Sequence, residues 1–357
     1  MSASDLLWTT LLVATCALLL GLTLLPALAE WYWPRDNQPL RVVRTHDGHI
    51  AHFAQTFRSF INERLGAEIA RAQQGVELQR GELDDGVHFT VMGSAMPIPF
   101  EDAERAARES AELIVARYDL EIPGGWIMAT EIFGMRGAKV GARTALRAIL
   151  VDDDVDLEEG CQVLRWAHAR GSVRAGRNCH FPGRVSADGA IEFAGGCSFA
   201  RVAAPEIRFV GGVRLAPRSA VSRSPLAVPV RHTRTLHDAS FETGGDEFHP
   251  GDIIARGSIR LGANNRVAGS LKAHNALELG DGTRVLGAVI AGGVVQIGAD
   301  CVIGGPIVSE AEVDIAGGAV LGTLDAPLTI TAPRIRIACG VRVCGTIWAR
   351  ELGQVRA

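Results

Sequence analysis

Between Gly257 and Gly322 apolar residues recur at every sixth position: Leu261, Val267, Ala273, Leu279, Val285, Ala291, Ile297, Ile303, Ile315 and Leu321 follow the rule and Ser309 breaks it. The next position along is glycine at 262, 280, 292, 298, 304 and 322. Steps of six do not hold one helical face, and each of those glycines would cost a helix about 0.5–1 kcal/mol. A three-sided parallel β-helix satisfies both frames, with one inward residue per side and glycine at the corner, where its φ freedom is expected to serve the turn. Three hexads make one coil, so Ile259, Leu277, Val295 and Val313 are predicted to stack about 4.8 Å apart. The residues following them, Arg260, Glu278, Gln296 and Asp314, then point outward.

An earlier block has the same layout. Val155, Val173 and Ile191 precede outward Asp156, Arg174 and Glu192, followed by Ile207, Arg208 and Phe209. Stacked charges alternate in sign there, a register device contributing about 0.2–1 kcal/mol per pair. Residues 126–212 and 251–357 are accordingly expected to form two β-helix blocks. Between them, residues 213–250 carry Pro217, Pro225, Pro229 and Pro250 with five arginines and no period, which predicts a loop or linker.

The first 125 residues follow a different rule. No charged residue lies between Leu6 and Ala29, a length that predicts a transmembrane helix in an anchor over 1–34, with Trp8 at one end and Trp31, Tyr32 and Trp33 at the other. Arg35, Arg41 and Arg44 follow the span and no basic residue precedes it, so the expectation is a single pass in the inner membrane with the bulk in the cytoplasm. Cleavage after Ala27-Leu28-Ala29 is the alternative. Residues 35–125 read as a small α+β region. A helix over about 47–73 carries Phe53, Phe57, Phe60, Ile61, Leu65 and Ile69 on one stripe, a strand covers 87–92, and a second, Ala-rich helix covers 101–118. His46, His49 and His52 recur every third residue, a spacing that rotates around a helix instead of converging on a metal.

Composition removes several function classes. Lys+Arg 36 against Asp+Glu 40 leaves a net charge of −4 and no basic field for nucleic acid. Seven cysteines without a CxxC pair fit small buried hydrophobes better than a disulfide framework or a metal site. No nucleotide, zinc-protease or hydrolase motif is present, so no cofactor and no small-molecule substrate is expected.

The segment 251–259, Gly-Asp-Ile-Ile-Ala-Arg-Gly-Ser-Ile, and the eighteen-residue coils after it resemble the bactofilins, bacterial polymer-forming cytoskeletal proteins. The segments 163–169 and 39–44 are similar to a membrane-anchored group of that family. The resemblance implies a right-handed β-helix and end-to-end self-association, with cell-envelope or surface-polysaccharide assembly proteins as partners. It implies a non-enzymatic scaffold, with Ile347 and Trp348 near the C-terminus as the docking surface of an open last coil.

Two other functions fit the repeats. A hexapeptide-repeat acyltransferase would use a coil-borne histidine, His168, His180 or His274, as general base. An exported β-helix binding wall glycans would require cleavage after Ala29.

Overall fold

A computed structural model describes residues 8, 10–16, 18, 19, 21, 22, 52–211 and 234–356. The chain divides into two units, residues 1–49 and 50–357. In the first, the described residues are helical. No helix among the described residues is long and apolar enough to cross a membrane, and this overturns the transmembrane anchor and the single-pass inner-membrane placement. Trp31, Tyr32, Trp33, the three following arginines, His46 and His49 lie outside the described residues.

The second unit is mainly β, a solenoid of about 12 turns arranged as two stacks. In the second stack the strands up to Leu321 pair in parallel with one another at a step of eighteen residues: Ile259 with Leu277, Leu277 with Val295, Val295 with Val313. Alternation of buried and exposed residues within strands of two to four residues places Ile259, Leu277, Val295 and Val313 in the lumen. Residues 322–327 lengthen one coil, so Ile307 pairs with Ile330. This stack begins at Arg234, inside the expected linker, because Arg234–His237, Phe241–Thr243 and Phe248–His249 pair with the coil that follows. Their inward residues include Thr235, His237, Thr243 and His249, so no hydrophobic period betrays them.

The first stack extends back to Glu109–Ser110 and Leu113–Ala116. The expected helix over 101–118 is therefore shorter. Helix α2, preceded by α1 (His52–Gln73), covers only Asp102–Ala107, with a Glu101/Glu104 capping box and a left-handed Arg108 as its stop. The run Leu113-Ile114-Val115-Ala116 is buried on both faces, which suits a strand between two apolar layers. One layer is the lumen. The other is α1, whose Ala54, Ile61, Leu65, Ile69 and Ala72 pack on outward-facing Leu113, Val115, Phe133, Leu150 and Trp166. The hairpin Leu78–Glu82 and His88–Met92 extends the same side, with Phe89 against Leu113.

One corner is built alike in nearly every coil. A left-handed residue occurs at 143, 160, 178 and 196 in the first stack and at 264, 282, 300 and 318 in the second. The side chain that follows usually donates to a carbonyl of the coil before. Thr144 donates to Pro123, Cys179 to Glu158 (3.2 Å), Cys197 to Gly176 (3.0 Å), Asn265 to Gly244 (2.7 Å), Thr283 to Gly262 (3.2 Å) and Cys301 to Gly280 (3.3 Å). Of the hexad glycines only Gly322 has a positive φ (+74°), and the others serve another purpose. A Cβ at Gly280 would lie 2.5 Å from the carbonyl carbon of Gly262, so they let corners stack at coil spacing.

The stacks meet end to end with opposite chain directions. Residues 198–208 pair antiparallel with 342–354 on all three sides: Phe199 with Gly353, Val202 with Ile347, Ile207 with Val343. The C-terminal coil is thus covered by the first stack of the same chain, not open for docking.

Candidate functional site

With the C-terminal coil occupied, the coil of residues 234–249 is the end of the second stack that no other described residue covers. Among the described residues its three strands pair on one face only, leaving backbone N–H and C=O groups along the other without a described partner. Leu236 and Phe248 are 59% and 65% exposed there. Inside the coil the Phe241 ring lies 4.3 Å from the His237 ring and 5.8 Å from the His249 ring, centroid to centroid. The buried Nε2 atoms of His237 and His249 make no hydrogen bond among the described residues, and Glu247 lies 3.8 Å from that of His249. These residues went unread in the sequence. Counting back eighteen from Ile253, Ala255, Ile259 and Val267 would have found positions 235, 237, 241 and 249.

The opposite end of the solenoid is closed. Ile98 and Phe100 join the lumen cluster beside the first coil, and the Phe100 ring stacks on Trp126 at 3.7 Å.

The sequence-predicted residues are scattered. Ile347 is fully buried in the seam opposite Val202, so it offers no docking surface. Trp348 is 40% exposed, with its ring under the Arg201 guanidinium at 4.2 Å. His168 is buried; its Nδ1 lies 2.8 Å from Ser186 Oγ, and its Nε2 3.9 Å from Asp188. His180 is exposed on another side of the first stack, hydrogen-bonded to Ser198. His274 lies on the second stack in a shallow groove with Arg256, Lys272 and Glu310. The fold does not bring the three histidines together.

The cysteines are held as structural donors. Cys161, Cys179 and Cys197 lie eighteen residues apart, all buried. The hydrogen bond with Cys179 and then burial push the Cys161 thiol far up, and burial pushes Cys301 up to about 11. Cys197 shifts downward through its hydrogen bond with Cys179, but it too is fully buried. No group of three or more His, Cys, Asp or Glu side chains suited to a metal ion occurs among the described residues.

No family model, no curated protein and no solved structure matches the chain. What it is similar to is therefore stated at the level of architecture: a β-solenoid, the class of fold used by repeat scaffolds and by hexapeptide-repeat proteins.

Proposed function

We propose that the protein is a non-catalytic, bactofilin-like β-solenoid scaffold that self-associates through the open coil of residues 234–249. The observation that carries this reading is the asymmetry of the ends. One stack begins under Ile98 and Phe100, the two inner ends seal each other, and among the described residues a single coil exposes three strand edges with Leu236 and Phe248 beside them. One adhesive end per molecule favours a closed pair over an unlimited filament. The seam supplies the geometry: two coil ends of opposite direction already pair antiparallel within the chain, and a two-fold pair of open coils would repeat that arrangement. The unpaired Nε2 atoms of His237 and His249 add motive, since an unsatisfied buried polar group costs about 1–3 kcal/mol. Envelope or surface-polysaccharide machinery as cargo follows from the bactofilin resemblance.

Sedimentation of the full chain across a concentration series tests the proposal. A monomer–dimer equilibrium that Phe248→Lys and Leu236→Lys shift to monomer is expected. A wild-type chain that stays monomeric, or variants that associate as the wild type does, would overturn it.

A further inference from the structure

Outward charges on the solenoid mostly neutralise one another. Arg174 meets Asp156 at 3.0 Å, Arg208 meets Glu192 at 3.1 Å and Arg260 meets Glu278 at 2.8 Å. Two rung pairs break this pattern, the exposed Arg266 and Arg284 of the second stack and the half-buried Arg184 and Arg201 of the first. Arg184 and Arg201 are in-register neighbours on the side of the first stack next to the seam, where strand spacing is about 4.8 Å. Both are half-buried, and neither makes a hydrogen bond or an ion pair with any described residue. Each is instead held by an aromatic face. The Arg184 guanidinium lies 4.2 Å from the Phe53 ring at the start of α1, and that of Arg201 lies 4.2 Å from the Trp348 ring across the seam.

Like charges opposite one another in a ladder are destabilising. Desolvation, and then the neighbouring Arg201 charge, lower the Arg184 pKa, so the pair is held at a cost. Ring stacking occupies the planes of the guanidiniums and leaves their edge N–H donors, five on each, without acceptors among the described residues. Two adjacent forks supply more donors than one carboxylate accepts, and suit the several oxygens of a phosphate.

We propose that Arg184 and Arg201, fixed by Phe53 and Trp348, form a binding site for a phosphate group at the seam between the two stacks. Its occupancy would tie α1, the first stack and the C-terminal coil together, since Phe53, Arg184, Arg201 and Trp348 come from all three.

The test is calorimetric titration of the full chain with inorganic phosphate, alongside co-sedimentation with phosphatidylcholine vesicles containing phosphatidic acid. Saturable binding in either arm, weakened about tenfold or more by Arg184→Gln and by Arg201→Gln, is expected. Binding in the phosphate arm assigns a free phosphate source, and binding to vesicles alone assigns a headgroup. Arg266→Gln and Arg284→Gln are the controls. They remove an exposed in-register arginine pair that shares its hollow with Asp246 and Glu247, and they should leave binding unchanged. If a Gln variant does not fold, Arg201→Lys and Arg184→Lys keep the charge, lose the fork, and should still bind more weakly. Absence of binding in both arms, or equal loss in the control pair, would overturn the site.

Discussion

The two stacks obey one lumen rule and treat their outer surfaces differently. In the first, coil steps vary between sixteen and eighteen residues, as in Ile132 to Ile149 to Ala167 and Ile191 to Ile207, and register shifts interrupt its long strands. One side carries Phe133, Leu150 and Trp166 outward, and α1 covers them. Toward the seam its lumen is filled by Phe181, Phe193, Phe199 and Phe209, whose neighbouring rings lie between 5.5 and 6.2 Å apart. The second stack holds its eighteen-residue step from Arg234 to Leu321 and, past its first coil, fills its lumen mainly with Ile, Leu, Val and Ala. Its corresponding side, with Ile254, Lys272, Ile290 and Val308, carries no described helix. The contrast teaches that inward periodicity makes a coil stack, while the outward residues decide what else can pack on it.

The largest expected effect lies where the stacks join. Phe199→Ala empties an aromatic site that packs on Phe193, on Phe209 and against Gly353 across the seam. It should lower stability to urea by about 3–5 kcal/mol. Val295→Ala, a smaller truncation in the regular stack, should cost clearly less. Equal losses would mean that the aromatic end is no better packed than the aliphatic coils. Two calorimetric transitions in Phe199→Ala, against one in the wild type, would show the seam to be the coupling between stacks.

Alkaline pH separates the corner ladders next. The Cys301 thiol is raised from 9.0 to about 11 in the folded chain, so the unfolded chain loses its proton first. That contribution to stability is complete below about pH 9 and on the order of 2 kcal/mol is lost by pH 11. Cys301→Ser keeps a donor for Gly280 O and should flatten this part of the pH profile. An unchanged slope would place the effect in the first-stack thiols, Cys161 and Cys179.

The smallest effect concerns the charge ladders. Arg174→Gln removes partners from Asp154 and Asp156 and should cost about 0.2–1 kcal/mol, less at high salt. Asp154 is held below the usual carboxylate range by the Ser172 N–H and by Arg174, so its contribution is present above about pH 4 and lost as pH falls through its lowered value. A larger loss, insensitive to salt, would show that the ladder does more than hold register.

The strongest periodic elements were legible. Leu261, Leu279, Ile297 and Ile315 lie in the lumen because a residue and its eighteenth successor are stacked neighbours wherever coil length is constant. The α1 stripe was legible for the same kind of reason, a local period meeting an apolar surface. The coil at 234–249 was not, because histidine and threonine occupy its inward positions at an end where the lumen is partly exposed. The anchor over 1–34 was read from an uncharged run, its aromatic flanks and the arginines after it, and no helix among the described residues is long and apolar enough to cross a membrane.

Sequence by itself determined the coil period, the inward residues and the alternating ladders, since each depends on neighbours at a fixed separation. Tertiary structure alone decided that residues 198–208 close against 342–354. That pairing buries Ile347, sets Arg201 over Trp348 and leaves the coil at 234–249 as the end of the second stack that no other described residue covers. Antiparallel docking of two coil ends joins residues at separations that change from pair to pair, so no period along the chain records it.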